Sequence, residues 1–169
     1  RQLADFVVVG VHWGVENSHA IADPQRTLAQ NLADWGADLI IGTHPHVLQN
    51  AQWLTAADGR QVFTAYSLGN FISTQEKPDQ LIGAILSVQL EKTTELDGTV
   101  RCSVLSPRLL PTVTHYDAGK SNVRTYLFRD YTEALTKSHG VRQAYPDFSL
   151  EMIQSIAREN IDPEFLQLT

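Results

Sequence analysis

Apolar positions fall into runs whose period changes along the chain. Leu3 to Gly10 is a continuous β-branched stretch with Phe6-Val7-Val8-Val9 at its centre, the pattern of a strand buried on both faces of a parallel sheet. Gly10-Val11-His12-Trp13-Gly14-Val15-Glu16 follows, so His12 is expected just past a strand end, between glycines that allow a tight turn. Asp23 suits an N-cap and Pro24 a first helical position. Leu28, Leu32 and Trp35 then recur at helical spacing up to Gly36, where a helix would stop. Asp38 to Ile41 is a second short apolar run, closed by Gly42 and followed by Thr43-His44-Pro45-His46. Residues 3–46 therefore predict one βαβ unit with parallel strands.

Beyond it, Val47 to Leu54 predicts a connector and strand, Asp58-Gly59 a turn, and Gln61 to Ala65 a further strand. That strand runs into Tyr66-Ser67-Leu68-Gly69-Asn70-Phe71, and a polar loop covers 72–80. From Leu81 the pattern alternates in part. Ile82 to Leu90 and Val100 to Leu110, joined through Asp97-Gly98, predict an antiparallel hairpin with one wet face that continues into Thr112-Val113-Thr114. The last third is expected to be helical. Ser121 or Asn122 would cap a helix carrying Val123, Leu127, Tyr131 and Leu135, stopped by Gly140; a second would span about 148–159 on Met152, Ile153, Ile156 and Ala157. Phe165 and Leu166 are expected to anchor the tail.

Composition narrows the function classes. At 169 residues, 43% hydrophobic and 19% charged, the chain is globular and sized for one core. A net charge of −6 and a pI near 5.4 give no electrostatic case for a nucleic-acid partner. No apolar run approaches a membrane span. The chain has no initiator Met and a central-looking strand starts almost at once, so a longer parent protein is expected and the compartment stays open. Cys102 is the one cysteine, too few for an internal disulfide and expected to act as a small buried apolar residue.

The chemistry concentrates in the two strand-end loops. Parallel strands place their C-terminal ends on one edge of the sheet, where open α/β sheets bind ligands; His12, His44 and His46 are expected there together. Pro45 is expected to hold His44 extended, and in an extended segment residues i and i+2 face one way. The two imidazoles would then form half of a metal or phosphate site. Glu16 is a candidate ligand or general base, or an exposed surface glutamate. Trp13 is a candidate pocket wall or packing residue. Ser67 and Asn70, at a third strand end, are candidates to hydrogen-bond a ligand or orient a histidine. His19, His115 and His139 have no comparable setting and are expected at the surface. Three neutral imidazoles would suit Zn, Mn or Fe only with anionic help, and no strand-end Asp supplies the bridging carboxylate that a two-metal site requires.

Three motifs carry a resemblance: His12-Trp13-Gly14-Val15-Glu16, the run from Gly36 to Gln49 that includes His44-Pro45-His46, and Tyr66-Ser67-Leu68-Gly69-Asn70-Phe71. In this order and spacing, over about residues 3–90, they resemble the CapA family, linked to capsule and poly-γ-glutamate biosynthesis. The resemblance implies an α/β fold forming part of a four-layer, calcineurin-like metallophosphoesterase sandwich: a βαβ unit, then antiparallel strands, then C-terminal helices. Residues 1–119 would be the C-terminal half of such a domain, and residues 120–169 a helical extension packed on it. His44-Pro45-His46 is similar to the family's H-x-H motif, with Thr43 standing where that pattern has Gly, and His12 matches the single preceding histidine.

By resemblance, then, His12, His44 and His46 are metal ligands, and Glu16 and Asn70 are the catalytic candidates. The cofactor would be a divalent transition metal (Zn, Mn or Fe), with two ions in a full-length protein. The family's Gly-Asp and Asn/Glu motifs, which would supply the acidic half of the site, are absent. The implied function is metal-dependent hydrolysis or transfer in capsule production; the alternative is a non-catalytic polymer-binding or assembly subunit. Implied partners are the capsule polymer or its precursor, membrane-bound capsule synthesis proteins, and a missing N-terminal half or second copy covering an exposed sheet edge. The implied location is the extracellular face of the cell envelope, with an anchor upstream.

Overall fold

A computed structural model describes residues 4–169. The described residues form seven strands and three α-helices: β1 (Val8–His12), α1 (Asp23–Asp34), β2 (Leu39–Thr43), β3 (Leu48–Thr55), β4 (Gln61–Leu68), β5 (Ile82–Thr94), β6 (Val100–Asp117), β7 (Ser121–Leu127), α2 (Glu133–Ser138) and α3 (Leu150–Asn160). They make two sheets, one of order β1-β2-β4-β3 and one of order β5-β6-β7. The fold class is α/β, as the alternating pattern predicts.

The βαβ unit is present. β1 pairs with β2 in parallel, His12 opposite Thr43, and β2 pairs with β4 in parallel. The carboxyl ends of these three strands therefore share one edge of the sheet. Three local expectations are corrected. β1 is not buried on both faces: it lies at the edge of the sheet with β2 as its neighbour, alternates in burial, and leaves Val8 52% exposed. The N-cap of α1 is Ala22, with Asp23 already inside the helix; Gln25 closes the turn by accepting from the Ala22 backbone N–H at 3.0 Å. The buried face of α1 is Gln25, Ala29 and Ala33 at a spacing of four. Trp35 caps the C-terminus and is exposed, because Gly36, in the left-handed region at φ 109°, turns the chain away.

The second sheet keeps the predicted hairpin, β5 against β6, and extends it. Residues 121–127 were expected to be helical; they are β7, antiparallel to β6 with Val113 opposite Tyr126. Gly119, Lys120 and Asn122 take positive φ, turning the chain back onto β6. Positions 123, 127, 131 and 135 are four apart, a spacing that satisfies a strand's period of two as well as a helix's period of 3.6. β-branched Val123 and Thr125 tip the balance toward strand. α3 forms as predicted, Ser149 Oγ accepting from Met152 N–H at 3.2 Å, with Ile153 and Ala157 fully buried.

Phe63, Leu81, Ile82, Leu109, Phe148 and Ile153 form the main core between the sheets and the C-terminal segment, and a second cluster around Ile40, Val62 and Tyr66 lies under α1. Phe165 and Leu166 join the main core as expected, and Leu166 bridges to Leu109 on β6. His115 and His139, expected at the surface, are 1% and 2% exposed. Their rings pack 4.8 Å apart among Tyr116, Tyr126, Tyr131 and Phe148. His139 Nε2–H donates to Thr114 O at 3.0 Å and its Nδ1 accepts from Val141 N–H at 3.0 Å. Tyr131 O–H donates to His115 Nδ1 at 2.7 Å, and His115 Nε2–H faces Asp117 at 3.4 Å. Every ring nitrogen is thus occupied in the neutral form. Burial pushes the basicity of both down, that of His139 to about 4.

Candidate metal centre

The site begins with a topological demand. β2 runs parallel to β4 and β3 runs antiparallel to it on the far side, so the chain leaving β2 must cross the end of β4 to begin β3. Four residues, His44 to Val47, span two strand spacings, about 10 Å. The crossing is not extended. His44 has φ 102° and His46 φ 62°, both in the left-handed region, which costs a residue with a Cβ on the order of 1–3 kcal/mol. The expectation that Pro45 would hold His44 extended, with both rings projecting by strand alternation, is therefore corrected: a bent link, not a pleat, aims them.

Several buried contacts fix this bend. Ser67 Oγ donates to Val47 O at 2.7 Å and accepts from Gly69 N–H at 3.2 Å. Trp13 is buried, stacks on Tyr66 and donates its indole N–H to Tyr66 O at 2.8 Å; of its two candidate roles it takes the packing one. Gly42 lets these groups meet, since a Cβ there would overlap both the Tyr66 carbonyl and the Trp13 indole nitrogen. The loop after β1 is drawn toward the link by Asn17 N–H, which donates to Pro45 O at 2.7 Å. It is held from below by Gln49, whose Nε2 donates to Ser18 O and Ala20 O, both at 2.9 Å, and whose Oε1 accepts from Gln25 at 2.8 Å.

These contacts bring Glu16, His44 and His46 together. One donor atom from each lies within 4.8 Å of the others; Glu16 is exposed and the two histidines are half-buried. His12, at the end of β1, is exposed and lays its ring against His44 with centroids 4.4 Å apart. It lies beside the cluster, outside the group of three. His19 is half-buried and donates from Nδ1 to Leu48 O at 2.7 Å.

Asn70 settles which nitrogen His46 offers. Its Nδ2 faces three oxygens, Gln75 Oε1 at 2.7 Å, Gln80 O at 2.9 Å and His46 O at 3.2 Å. That atom must be the amide nitrogen, so Oδ1 points at His46 Nδ1, 2.9 Å away. An oxygen acceptor there requires Nδ1 to carry the proton, leaving Nε2 with a free lone pair. An outer partner that fixes the tautomer of an imidazole ligand is how metal-binding histidines are ordinarily held. A carboxylate, two imidazoles and that fixed tautomer fit a divalent transition metal.

The supporting amides, Gln25, Gln49, Gln75 and Gln80, have no marked sequence signal, because glutamine is ordinarily a solvent-facing residue and nothing beside it in the chain records its burial. A groove of about 620 Å³ lies at the amino end of β4 between Trp53, Arg60 and residues 99–105, away from the histidines. Arg60 is committed there to Asp38, Asp58 and two backbone carbonyls, so it is a structural clamp.

Residues 1–75 match the family model described as "Bacterial capsule synthesis protein PGA_cap". The chain is 41% identical over 104 residues to the "PGA biosynthesis protein CapA" of Bacillus subtilis (strain 168), which covers 62% of this chain and 25% of that protein. It is 44% identical over 72 residues to the "Capsule biosynthesis protein CapA" of Bacillus anthracis, covering 43% of this chain and 16% of that protein. The chain thus spans a quarter or less of these relatives' length. All three motifs of the site fall within residues 12–71, entirely inside the segment that the family model matches, and over that segment the chain is similar to the CapA proteins.

Proposed function

We propose that this chain serves capsule or poly-γ-glutamate biosynthesis at the cell envelope by contributing Glu16, His44 and His46 to a divalent transition-metal site used for hydrolysis or group transfer. The observation that carries the reading is the convergence of these three donor groups at the carboxyl edge of a parallel sheet, with the His46 tautomer set by Asn70. A bound ion would polarise a phosphoryl or acyl oxygen and lower the pKa of a coordinated water. One carboxylate and two neutral imidazoles leave such an ion with net positive charge, suited to an anionic substrate oxygen. Asn70 keeps a proton on His46 Nδ1 and keeps Nε2 open. His12, against the His44 ring, limits how that ring can turn and is itself a further candidate ligand. Glu16 serves as ligand or as base toward a nearby water.

A metallophosphoesterase-like layering and a second ion belong to the same proposal and require bridging carboxylates from other polypeptide. The edge of β1 gives that polypeptide, or a second copy, a strand to pair with.

A second reading is favoured by one observation. Val15, Phe71 and Ile72, which adjoin Glu16 and Asn70 in the chain, are 57%, 60% and 56% exposed. Apolar side chains beside the site suit a non-catalytic subunit that docks the capsule polymer, its precursor or a membrane-bound synthesis protein. Two measurements separate the readings. In the first, full-length protein purified without chelator carries stoichiometric Zn, Mn or Fe, and His44→Ala abolishes polymer output. Metal-free protein together with unchanged output in His44→Ala would overturn the enzyme reading and leave the assembly one.

A further inference from the structure

Among the described residues, no hydrogen bond or ion pair holds the Glu16 carboxylate itself. Its place beside the histidines depends on the residue that follows it. Asn17 is in the left-handed region at φ 61°, a conformation asparagine tolerates better than most residues. Its two ends are tied to different parts of the site. The backbone N–H donates to Pro45 O, between the two histidines, at 2.7 Å. The side-chain Oδ1 accepts from Gln80 Nε2. Gln80 is 7% exposed and sits in a one-turn 3-10 segment, Pro78–Leu81. Its Oε1 accepts from Lys77 N–H at 3.2 Å, and its backbone carbonyl accepts from Asn70 Nδ2 at 2.9 Å.

These contacts close a ring around the site, from Pro45 to Asn17, to Gln80, to Asn70, to His46 and back along the link. Gln80 joins the glutamate loop, through its side-chain amide, to the asparagine that orients His46, through its backbone carbonyl. Both ends of its amide are paired in a nearly dry position, where loss of one partner strands the other.

We propose that Gln80 is a positioning residue for the Glu16–His44–His46 cluster, holding the carboxylate loop and the Asn70 amide in register so that the three donors meet. The proposal rests on the metal-site reading above. Gln80→Leu keeps the volume and removes both side-chain bonds while leaving the backbone carbonyl to Asn70, whereas Asn17→Asp keeps an acceptor for Gln80 on a side chain that also suits positive φ.

The test uses the full chain. Amide hydrogen exchange at Asn17 and Ser18 is measured without metal, and Zn²⁺ binding is measured by calorimetry. Gln80→Leu is expected to speed exchange at Asn17 by about tenfold or more and to weaken Zn²⁺ binding about 10–100-fold, the usual effect of losing an outer-shell partner. Asn17→Asp is expected to keep exchange at position 17 within about twofold of the parent and not to weaken Zn²⁺ binding, since the added carboxylate only attracts a cation. Should Gln80→Leu fail to fold, Asn17→Gly removes the same bond from the other side while keeping the backbone conformation, with the same two losses expected. Unchanged exchange at Asn17 overturns the tether. Faster exchange with undiminished Zn²⁺ affinity overturns its positioning role. A parent chain that takes up no Zn²⁺ overturns the metal reading instead, and the exchange data alone then decide whether Gln80 holds the loop.

Discussion

At the carboxyl edge of the four-stranded sheet, His44 and His46 are half-buried, held in left-handed backbone, and placed beside a carboxylate. Beneath the three-stranded sheet, His115 and His139 are buried in ordinary strand and turn backbone, with every ring nitrogen bonded. The first pair carries backbone strain and keeps a lone pair open. The second carries no such strain and spends its polar atoms on the fold. A histidine's role is therefore read from what its nitrogens already hold. In the buried pair the imidazole acts as a hydrogen-bonding aromatic; in the edge pair it remains available for chemistry.

That contrast can be broken at either end. The largest effect is expected from His139→Ala, which leaves Thr114 O and Val141 N–H without partners and opens a cavity among aromatic rings. The cost should be about 3–4 kcal/mol, seen in thermal unfolding at pH 7 as a fall of roughly 10 °C. His44→Ala in the same assay should stay within about 1 kcal/mol.

Next in size is a pH effect. The folded-state pKa of His139 is depressed to about 4 from an ordinary 6.5, so the unfolded chain binds the extra proton first. Its contribution is fully present above pH 6.5 and is lost as the pH falls toward 4, by about 3 kcal/mol at most. His115, lowered by burial in the same direction, steepens that loss, and Asp117 facing its Nε2 opposes it. Denaturant unfolding from pH 7 to pH 4 checks this, and His139→Phe should flatten the profile.

Then comes His46→Ala, expected to weaken Zn²⁺ binding by about 100-fold, or about 2.7 kcal/mol, in calorimetry with little change in melting. The smallest effect sharpens the comparison most. His44→Gly should stabilise the metal-free fold by about 1 kcal/mol by relieving the positive φ, while removing a ligand. A site residue whose loss stabilises the protein is the opposite of His139.

Much of this was legible in the chain. Parallel β1 and β2 follow from two apolar runs around a capped helical pattern, and their shared edge gathers the histidine loops by topology alone. Asn70 at the end of β4 was legible as a group that could orient a histidine. The rest was hidden for identifiable reasons. The left-handed link at 44–47 exists because β3 lies beyond β4, and no local residue preference records strand order. β7 is hidden because a spacing of four fits two periods. The burial of His115 and His139 depends on α2 and the turn after it folding back over β6, a long-range event without a signature in their neighbours. The ring of contacts around the site runs through Asn17, Gln80 and Asn70, amides whose burial nothing in the adjacent sequence records, so it becomes visible only in three dimensions.

The link over the end of β4 also sets the tolerance of the chain to changes in length. Four residues cover the crossing in a bent path, with their spare length taken up at His44 and His46. A deletion between 44 and 47 would pull the link straight and re-aim the rings, and an insertion would let the donors drift apart while leaving the strands paired. The hairpin tip at 95–99 is the reverse case: it is exposed, Leu96 fully so, and it closes on itself through Glu95 N–H to Thr99 O at 2.8 Å. An inserted peptide tag or label belongs at that tip, where added length changes nothing that the histidines depend on.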